Sequence, residues 1–505
     1  MTTTIFDVIS SGTPAAPAIG APGMNPQTYV GLKVLAERTV KALNERGIGR
    51  NDRVAIVLEN GPEMATAFLA IATGATTAPL NPAYREDEFD FYLSDLNAKA
   101  LVVAYGSDTP AIAVAQKRGI PVLEIEGSLY APAGDFRFRG KAEGPVAANG
   151  GMAQPGDCAL VLHTSGTTSR PKIVPLSQAN VTASAKHIAE TLAITPQDIC
   201  LNIMPLFHIH GLIAAVLSSL RAGASIVCAP GFNALQFFSW MNEAQPTWYT
   251  AVPTMHQAIL SRAARNKEIV AEHKLRFIRS SSSSLPPQVM NELEEAFGIP
   301  VIEAYGMTEA SHQMASNPLP PKAHKAGSVG LAAGPEIAIM DEDGKILAKG
   351  ETGEIVIRGA NVFSGYEANP KANAEAFTNG WFRTGDQGVI DPEGYLSLTG
   401  RLKEIINRGG EKISPREVDE VILDHPAIEQ VVTFAMKHDK LGEDVAAAVV
   451  LREGQTTTEA ELRKFIAQRL ADFKVPRKVL FLDEIPKGAT GKLQRIGLAE
   501  KLGLG

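Results

Sequence analysis

In the first part of the chain, segments with apolar residues at helical spacing alternate with short continuous apolar runs. Between residues 27 and 46 apolar residues recur at helical spacing, and Gly47 follows as a stop signal. The next predicted elements are strands at 53–58, 101–103 and 121–125 and helices near 63–72 and 86–96. Because continuous apolar runs between helices are typical of strands buried on both faces, this pattern predicts a parallel sheet covered by helices.

The same alternation returns after an apolar run at 158–162, beyond a connection at 131–155 that is rich in Gly, Ala and Pro. The predicted elements here are helices at 177–192, 212–221, 235–243, 254–264 and 287–297 and strands at 199–204, 225–228, 275–279 and 300–304. We therefore expect two similar α/β halves that meet at a cleft.

From residue 328 to residue 398 the pattern changes to short alternating strands with turns at Asp343-Gly344 and Asn379-Gly380, which predicts a small antiparallel β subdomain. Beyond Gly400 a compact tail has its own α+β pattern. Its predicted elements are helices at 415–423 and 459–470 and strands at 430–436, 445–451 and 479–482. The predicted fold is α/β, with a large N-terminal domain of two halves plus the β subdomain, and a small α+β C-terminal lid.

Composition narrows the classes of partner. The 505 residues suggest roughly three units of ordinary domain size. A net charge of −7 gives no general attraction to nucleic acid or anionic membrane, so we expect neither as a partner. Cys158, Cys200 and Cys228 each lie in an apolar segment and indicate a reducing compartment, and the longest apolar stretch, near 209–220, is too short to span a bilayer. A cytoplasmic location is expected, and the oligomeric state stays open.

A loop rich in hydroxyl groups, residues 162–172, follows the apolar run at 158–162. Its hydroxyls, a glycine and two cations can donate many hydrogen bonds to a polyphosphate. The candidate phosphate-binding residues are Thr164, Ser165, Gly166, Thr167, Thr168 and Lys172. Because Lys172 is followed by Ile173 and Val174, the loop is not a Walker A motif. Alone, the loop is equally well interpreted as a simple turn.

Four further motifs occur downstream of this loop. They are Tyr305-Gly306-Met307-Thr308-Glu309, Thr384-Gly385-Asp386, Gly400-Arg401-Leu402-Lys403-Glu404 and Pro486-Lys487-Gly488-Ala489-Thr490-Gly491-Lys492. In this order and spacing the five motifs resemble those of the adenylate-forming enzymes, which include acyl-CoA synthetases, adenylation domains of peptide synthetases and beetle luciferase. The match runs from about residue 53 to residue 492.

The resemblance implies that ATP activates a carboxylic acid, with Mg²⁺ as the metal and coenzyme A (CoA) as the second substrate. Attack of the carboxylate on the α-phosphorus requires cations around the triphosphate and near the reacting oxygens. In this family the counterpart of Lys492 supplies such a charge. The alternative for Lys492 is a solvated lysine after a Thr-Gly turn.

The resemblance assigns the other nucleotide contacts as well. Glu309 would bind Mg²⁺, Thr308 the α-phosphate, Asp386 both ribose hydroxyls, Arg401 ribose or phosphate, and Tyr305 the adenine ring. Taken singly, Glu309 is also typical of a helix N-terminus, Asp386 of a turn, Arg401 of the surface and Tyr305 of the core. Thr308 and Glu309 are counted among the predicted catalytic residues, with Lys492 and His208.

In this family the lid swings between a pose for adenylation and a pose for thioester formation, and Lys403 falls at the hinge. The resemblance therefore implies an AMP-binding domain at 1–400, a hinge at 401–404 and a mobile lid domain at 405–505. The second pose would bring residues 408–412 near the active site, although Gly409-Gly410 is equally typical of a plain turn.

Three segments bear on the acid. His208 stands where peptide-synthetase domains carry an Asp for the amino group, so amino-acid activation is disfavoured, and His208 could be a gate, a substrate donor or a core histidine. The serine run at 280–284 replaces small apolar positions of most relatives. Ser280, Ser282, His208 and His312 therefore predict a short polar pocket that can hold a second carboxylate, although a serine run is also typical of a loop.

Longer strings, at 164–172, 247–254, 275–280 and 316–320, are similar to the oxalate–CoA ligases within this family. The resemblance implies that oxalate and CoA become oxalyl-CoA through an oxalyl-adenylate, with release of AMP and pyrophosphate. Two alternatives stay open, which are a CoA ligase for another small or aromatic acid and a non-catalytic nucleotide- or CoA-binding protein.

Overall fold

The computed structural model describes residues 3–127, 130–142, 144–164, 171–486 and 493–504. Five predicted site residues lie outside these ranges, namely Ser165, Gly166, Thr167, Thr168 and Lys492. Within the described ranges the chain forms sheets of seven, nine, five and five strands. The predicted α/β class, with a large N-terminal domain and a small C-terminal domain, is confirmed.

The first α/β half surrounds the seven-stranded sheet. The chain up to this point contains α1 (Ile5–Ser10), β1 (Pro17–Gly20), β2 (Gln27–Thr28), α2 (Tyr29–Asn44), β3 (Arg53–Val57), α3 (Pro62–Ala72), β4 (Thr76–Pro79), α4 (Glu86–Asp95), β5 (Ala100–Ala104), α5 (Pro110–Lys117), β6 (Val122–Glu126), β7 (Arg137–Phe138), β8 (Cys158–His163) and β9 (Ile173–Ser177). The order is β7-β6-β5-β3-β4-β8-β9, with parallel pairing except at the edge strands β7 and β9. The short strand β4 was not predicted.

The second half surrounds the nine-stranded sheet. Its elements are α6 (Gln178–Thr191), β10 (Ile199–Asn202), a π-helix (His210–Leu217), α7 (Ser218–Arg221), β11 (Ser225–Cys228), α8 (Phe237–Ala244), β12 (Trp248–Ala251), α9 (Pro253–Ala263), α10 (Lys267–Glu272), β13 (Phe277–Ser280), α11 (Pro287–Phe297), β14 (Val301–Met307), a 3₁₀ turn (Thr308–Ala310), β15 (His312–Ser316) and β16 (Leu331–Ala332). The order is β16-β15-β14-β13-β12-β10-β11-β1-β2. Strands β14 to β1 are parallel, whereas β15 returns antiparallel along β14.

Helix α3 joins the two halves. Every residue of α3 except Glu63 is buried, and the helix packs against β3 and β4 of one sheet and against β1 and β11 of the other. A helix that is apolar on all sides is stable only when it is enclosed in this way. The main hydrophobic core therefore runs through both halves, and α3 fixes the position of one sheet relative to the other.

The antiparallel β subdomain is confirmed. Its elements are β17 (Glu336–Met340), β18 (Thr352–Arg358), α12 (Pro370–Ala376), β19 (Phe377–Thr378), β20 (Trp381–Ile390) and β21 (Leu396–Arg401). The sheet order is β17-β18-β20-β19, with β21 paired to β20. The pairing sets Asp386 of β20 opposite Arg401 of β21.

The C-terminal domain has its own five-stranded sheet and hydrophobic core. Its elements are β22 (Ile406–Arg408), β23 (Glu411–Ile413), α13 (Pro415–Leu423), β24 (Ile428–His438), β25 (Gly442–Leu451), α14 (Glu459–Ala467), a 3₁₀ turn (Asp472–Lys474), β26 (Lys478–Phe481) and α15 (Leu498–Lys501). The β22–β23 hairpin turns through Gly409 and Gly410, both with positive φ, which is the geometry that favours glycine in tight hairpins. Among the described residues, no helix is long and apolar enough to cross a membrane.

Candidate active site

Asp386 and Tyr305 form the centre of the predicted nucleotide site. Tyr305 lies near the end of β14, and its hydroxyl donates a hydrogen bond to Oδ2 of Asp386. On the other side, Nε of Arg401 lies 3.3 Å from Oδ1 of Asp386. Three residues that the resemblance assigns to the nucleotide therefore meet, although they come from β14, β20 and β21.

The burial of these groups is uneven. Asp386 is 6% exposed, whereas the Arg401 side chain is 60% exposed. Burial raises the pKa of the Asp386 carboxyl, and the charge of Arg401 opposes that shift. A buried carboxylate beside an open guanidinium suits a ligand that arrives from solvent with hydroxyl donors and an anionic group.

A second cluster contains Glu309, Tyr366 and Lys172. The Tyr366 hydroxyl donates a 2.8 Å hydrogen bond to Oε1 of Glu309, and Nζ of Lys172 lies 4.4 Å from the centre of the Tyr366 ring. Burial raises the pKa of Glu309, and the Tyr366 hydrogen bond and the Lys172 charge oppose this rise. The nearby Asp386 carboxylate raises it further, so the two clusters lie within electrostatic reach of one another.

The base of the predicted phosphate loop lies beside the second cluster. The Thr164 amide donates to the Lys172 carbonyl over 3.0 Å, and the Lys172 amide donates to Oγ1 of Thr164 over 3.1 Å. Thr308 is half-buried at the start of the 3₁₀ turn that carries Glu309. Thr164, Lys172 and Thr308 are thus anchored near Glu309, whereas Ser165, Gly166, Thr167 and Thr168 lie outside the described residues.

The predicted hinge continues from the nucleotide site into the C-terminal domain. Lys403 is exposed between β21 and β22. The next residue, Glu404, lies 4.0 Å from Nη1 of Arg401 through Oε1 and 3.8 Å from Nη1 of Arg495 through Oε2. Arg495 also pairs with the buried Asp419 of α13. A series of charged groups therefore links the Asp386 site to the C-terminal domain.

Arg279, in β13, is the centre of a third cluster. Its guanidinium is fully buried, and Nη1 lies 3.4 Å from each of Nε2 of His210, Oγ1 of Thr250 and Nε2 of His312. Nη2 lies 3.4 Å from Oε1 of Gln313. The Nε atom is buried without a hydrogen-bond partner. In the part of the chain that the structure describes, no carboxylate hydrogen-bonds or forms an ion pair with this guanidinium.

The π-helix brings His210 into this third cluster. His210 is its first residue, and the ring contacts Oγ of Ser282 at 3.0 Å through Nδ1 and Oγ1 of Thr250 at 2.6 Å through Nε2. The rings of His210 and His312 lie 4.9 Å apart. Local π-helical geometry is frequent at functional sites because it redirects side chains. The predicted residues Ser282 and His312 are thus brought together around Arg279.

Two other predicted acid-binding residues, His208 and Ser280, lie beside the third cluster and on the opposite face of its strand, respectively. His208 is half-buried just before the π-helix, where its Nδ1 accepts the His210 amide at 3.3 Å. Ser280 follows Arg279 in β13, so its side chain points to the opposite face of the sheet, and it pairs in register with the buried Glu303. The structure therefore does not place Ser280 with Ser282 and His312.

The second and third clusters share one β-hairpin. Glu309 lies in the turn after β14, and His312 begins the returning strand β15. Gly306 permits this close return, because a Cβ atom built there would lie 1.8 Å from the His312 carbonyl oxygen. The predicted nucleotide and acid sites are therefore held together by the backbone of a single turn.

Sequence reasoning missed Tyr366, Arg279, His210 and Thr250. Tyr366 lies 57 positions from the glutamate that it contacts, so no local pattern indicates it. Arg279 did carry a signal, because it is a cation at the end of the predicted strand 275–279, directly after the apolar residues Phe277 and Ile278. A charged residue in a buried strand is unusual unless it has a partner or a ligand.

Comparison with known proteins agrees with the five motifs. The AMP-binding enzyme family matches residues 6–367, and the AMP-binding enzyme C-terminal domain matches residues 417–492. The chain is 46% identical over 498 residues to the oxalate–CoA ligase of Arabidopsis thaliana, covering 97% of this chain and 96% of that protein. It is 44% identical to the oxalate–CoA ligase of Saccharomyces cerevisiae over 475 residues, covering 89% of this chain and 87% of that protein.

The fold is similar to a solved member with bound nucleotide. ATP-bound MatB from Rhodopseudomonas palustris superposes with a TM-score of 0.89 at 31% identity and covers 99% of both chains. The matches in sequence and in fold extend over nearly the whole length of the chain. The protein belongs to the family of AMP-binding enzymes.

Proposed function

We propose that this protein is an AMP-forming ligase that converts oxalate and CoA to oxalyl-CoA through an oxalyl-adenylate. Two relatives more than 40% identical over most of their length are oxalate–CoA ligases. The observation that carries the choice of acid is the third cluster. Guanidinium, imidazole and hydroxyl groups, rather than aliphatic side chains, lie next to the turn that holds Glu309. Such groups suit a short, doubly charged acid and are unsuited to a fatty chain.

In the first half-reaction a carboxylate oxygen of oxalate attacks the α-phosphorus of ATP, and pyrophosphate leaves. Asp386 accepts hydrogen bonds from the ribose hydroxyls, and the Tyr305 hydroxyl fixes the orientation of that carboxylate. Arg401 and Lys172 add positive charge around the phosphates, where negative charge shifts during transfer. Lys492, which lies outside the described residues, supplies the cation beside the attacking oxygen.

The residues present fit a magnesium ion. Mg²⁺ in phosphoryl-transfer sites is held by one or two carboxylates together with phosphate oxygens and water, rather than by a protein cage. The described residues contain no group of three or more metal-ligating side chains, and Glu309 is a single buried carboxylate beside Lys172 and the loop base. Glu309 would hold the ion, with Tyr366 orienting its carboxylate, and the ion would neutralise phosphate charge.

In the second half-reaction the CoA sulfur attacks the oxalyl carbonyl carbon, its proton is lost, and AMP leaves. We propose that this step follows a rotation of the C-terminal domain about Lys403, with residues 1–400, 401–404 and 405–505 as body, hinge and lid. Thr308 would contact the α-phosphate in both steps, and His208, beside the third cluster, would line the route to the carbonyl carbon.

A pyrophosphate-release assay with a panel of acids tests this function. Purified protein with ATP, Mg²⁺ and CoA should release pyrophosphate with oxalate and form oxalyl-CoA. Medium-chain fatty acids and aromatic acids serve as comparisons. Turnover of a fatty or aromatic acid without turnover of oxalate would disprove the choice of oxalate as the substrate. Absence of ATP–pyrophosphate exchange with every acid would indicate a non-catalytic binding protein.

A further inference from the structure

Among the residues that the structure describes, none provides the guanidinium of Arg279 with the counter-ion that a buried cation normally has. All four of its hydrogen-bond contacts are 3.4 Å long and involve neutral oxygen atoms or imidazole nitrogens, and Nε has no partner. Well-formed bonds of this kind are normally 2.7–3.2 Å long. The surrounding side chains therefore hold the guanidinium in place without neutralising it.

This arrangement is costly for the folded chain. A buried charge without a partner loses its hydration, and removal of such a group is often neutral or stabilising. Burial lowers the pKa of Arg279 to about 9, so the side chain is still charged at neutral pH. An unfavourable group that persists in a rigid, well-packed position is typical of a binding site.

We propose that Arg279 binds the second carboxylate of the acid, the one that is not adenylated, and thereby selects dianions. This inference rests on the proposed function and deepens it, since Arg279 lies in none of the five motifs. The planar guanidinium donates from Nε and Nη atoms to two carboxylate oxygens, and the partnerless Nε is one of these donors. His210 and His312 flank the guanidinium as positioning residues.

The proposal predicts a strong preference between two acids of the same shape. Oxamate has an amide where oxalate has the second carboxylate, so it keeps the reacting carboxylate and the size but lacks the second charge. Sites built around a charged or hydrogen-bonding group reject analogues that leave the group unpaired. The wild-type protein should therefore prefer oxalate by at least about a hundredfold in kcat/KM.

Arg279→Met tests the proposal, with Arg276→Met as the matched control. Arg276 lies just before the same strand but pairs with Asp198, and its side chain is 39% exposed. We expect Arg279→Met to lower kcat/KM for oxalate by at least about a hundredfold and to change that for oxamate by less than about fivefold. Arg279→Lys should recover part of the oxalate activity. Equal losses for the two acids, or no loss for oxalate, would overturn the proposal.

Melting temperatures separate this proposal from the proposed function and from misfolding. Arg279→Met should melt at or above the wild-type temperature without ligand, keep the rise caused by ATP, and lose the rise caused by oxalate. If the wild type releases no pyrophosphate with oxalate, the proposed function fails. In that case the rise in melting temperature caused by oxalate tests the role of Arg279 separately. A rise that occurs in the wild type and is lost in Arg279→Met supports the role, whereas no rise in the wild type overturns the proposal. A variant that melts lower and no longer responds to ATP would show a structural role and would also overturn the proposal.

Discussion

The hydroxyl of Tyr366 donates a 2.8 Å hydrogen bond to Oε1 of Glu309, across 57 residues of sequence. The same ring lies 4.4 Å from Nζ of Lys172. One tyrosine thus contacts both the carboxylate proposed to hold Mg²⁺ and the cation at the base of the phosphate loop. The relative positions of these two groups depend on a residue that belongs to none of the five motifs.

Tyr366→Phe should therefore weaken the first half-reaction specifically. The phenylalanine keeps the ring beside Lys172 but leaves Glu309 without its hydroxyl donor. A hydrogen bond to a charged group contributes about 1.5–3 kcal/mol, so we expect the adenylation rate to fall about tenfold to a hundredfold and the Mg²⁺ concentration for half-maximal rate to rise. Measurement of pyrophosphate release against Mg²⁺ concentration provides the test.

Tyr395→Phe is the control for that substitution. The Tyr395 hydroxyl donates to the Ala323 carbonyl over 2.6 Å, and the ring lies 4.0 Å from Nζ of Lys325. It thus resembles Tyr366 chemically but lies in the β subdomain away from Glu309. Equal effects of the two substitutions on Mg²⁺ dependence would contradict the role given to Tyr366.

Asp386→Asn should reduce nucleotide affinity while leaving acid binding intact. Asparagine retains the shape of the side chain but loses the ion pair with Arg401 and one acceptor for the ribose. We expect ATP to bind about tenfold to a hundredfold more weakly by calorimetry, which corresponds to about 1.4–2.8 kcal/mol. The oxalate-dependent rise in melting temperature should persist, and a parallel loss of both ligands would argue against a nucleotide-specific role.

Lys492→Ala should stop adenylate formation, whereas thioester formation from supplied oxalyl-adenylate should survive. Only the first step requires a cation beside the attacking carboxylate oxygen. The two half-reactions can be followed separately as ATP–pyrophosphate exchange and as CoA-dependent AMP release. Lys440→Ala, at an exposed position of the same domain, is the control. Equal losses in both half-reactions would contradict the assignment.

Glu303 should make folding stability depend on pH. Burial raises the pKa of this carboxyl to about 7, with Glu420 adding to the rise and Arg416 opposing it. Because this folded-state pKa lies above the value of an exposed glutamate, the folded state holds the proton more tightly than the unfolded state. The favourable contribution of the neutral carboxyl is thus complete below about pH 4.5 and is lost as the pH rises towards 7.

Glu303→Gln should reduce that loss, since glutamine keeps an acceptor for the Leu285 amide, which now donates to Oε1 over 2.8 Å. Denaturant unfolding at pH 5 and pH 7.5 should show that the variant loses less free energy of unfolding than the wild type, by on the order of 1–3 kcal/mol. Identical pH dependence in the two proteins would show that the carboxyl titrates in its ordinary range.

Much of the fold could be predicted because its parallel strands are buried on both faces and are therefore continuous apolar runs. The antiparallel strand β15 was harder to predict, since His312, Gln313 and Ser316 are polar residues that are buried inside the protein. Strand β4 was missed because it is only four residues long and its two threonines remove the continuous apolar run that indicates the other buried strands. The π-helix starts two residues before the predicted helix, and this local change places His210 beside Arg279.

Site residues that belong to short sequence motifs could be predicted, whereas residues whose placement depends on the fold could not. Tyr305, Asp386 and Arg401 belong to ordered motifs, and the structure brings them together. Ser280 and Ser282 looked equivalent in the serine run, but the strand ends at Ser280, and only Ser282 reaches His210. Which side of a sheet a side chain faces depends on where the strand ends, and the sequence did not define that point.

The close return of β15 past Gly306 has a consequence for how new acid preferences could arise. A substitution that shifts the backbone at His312 would also shift Glu309 in the same turn, so selection at that position would damage ATP chemistry along with the choice of acid. Substitutions in β13 or at the start of the π-helix avoid this coupling. Related ligases with altered substrates should therefore have diversified at the counterparts of Arg279 and His210 first, with the hairpin between the two sites left unaltered.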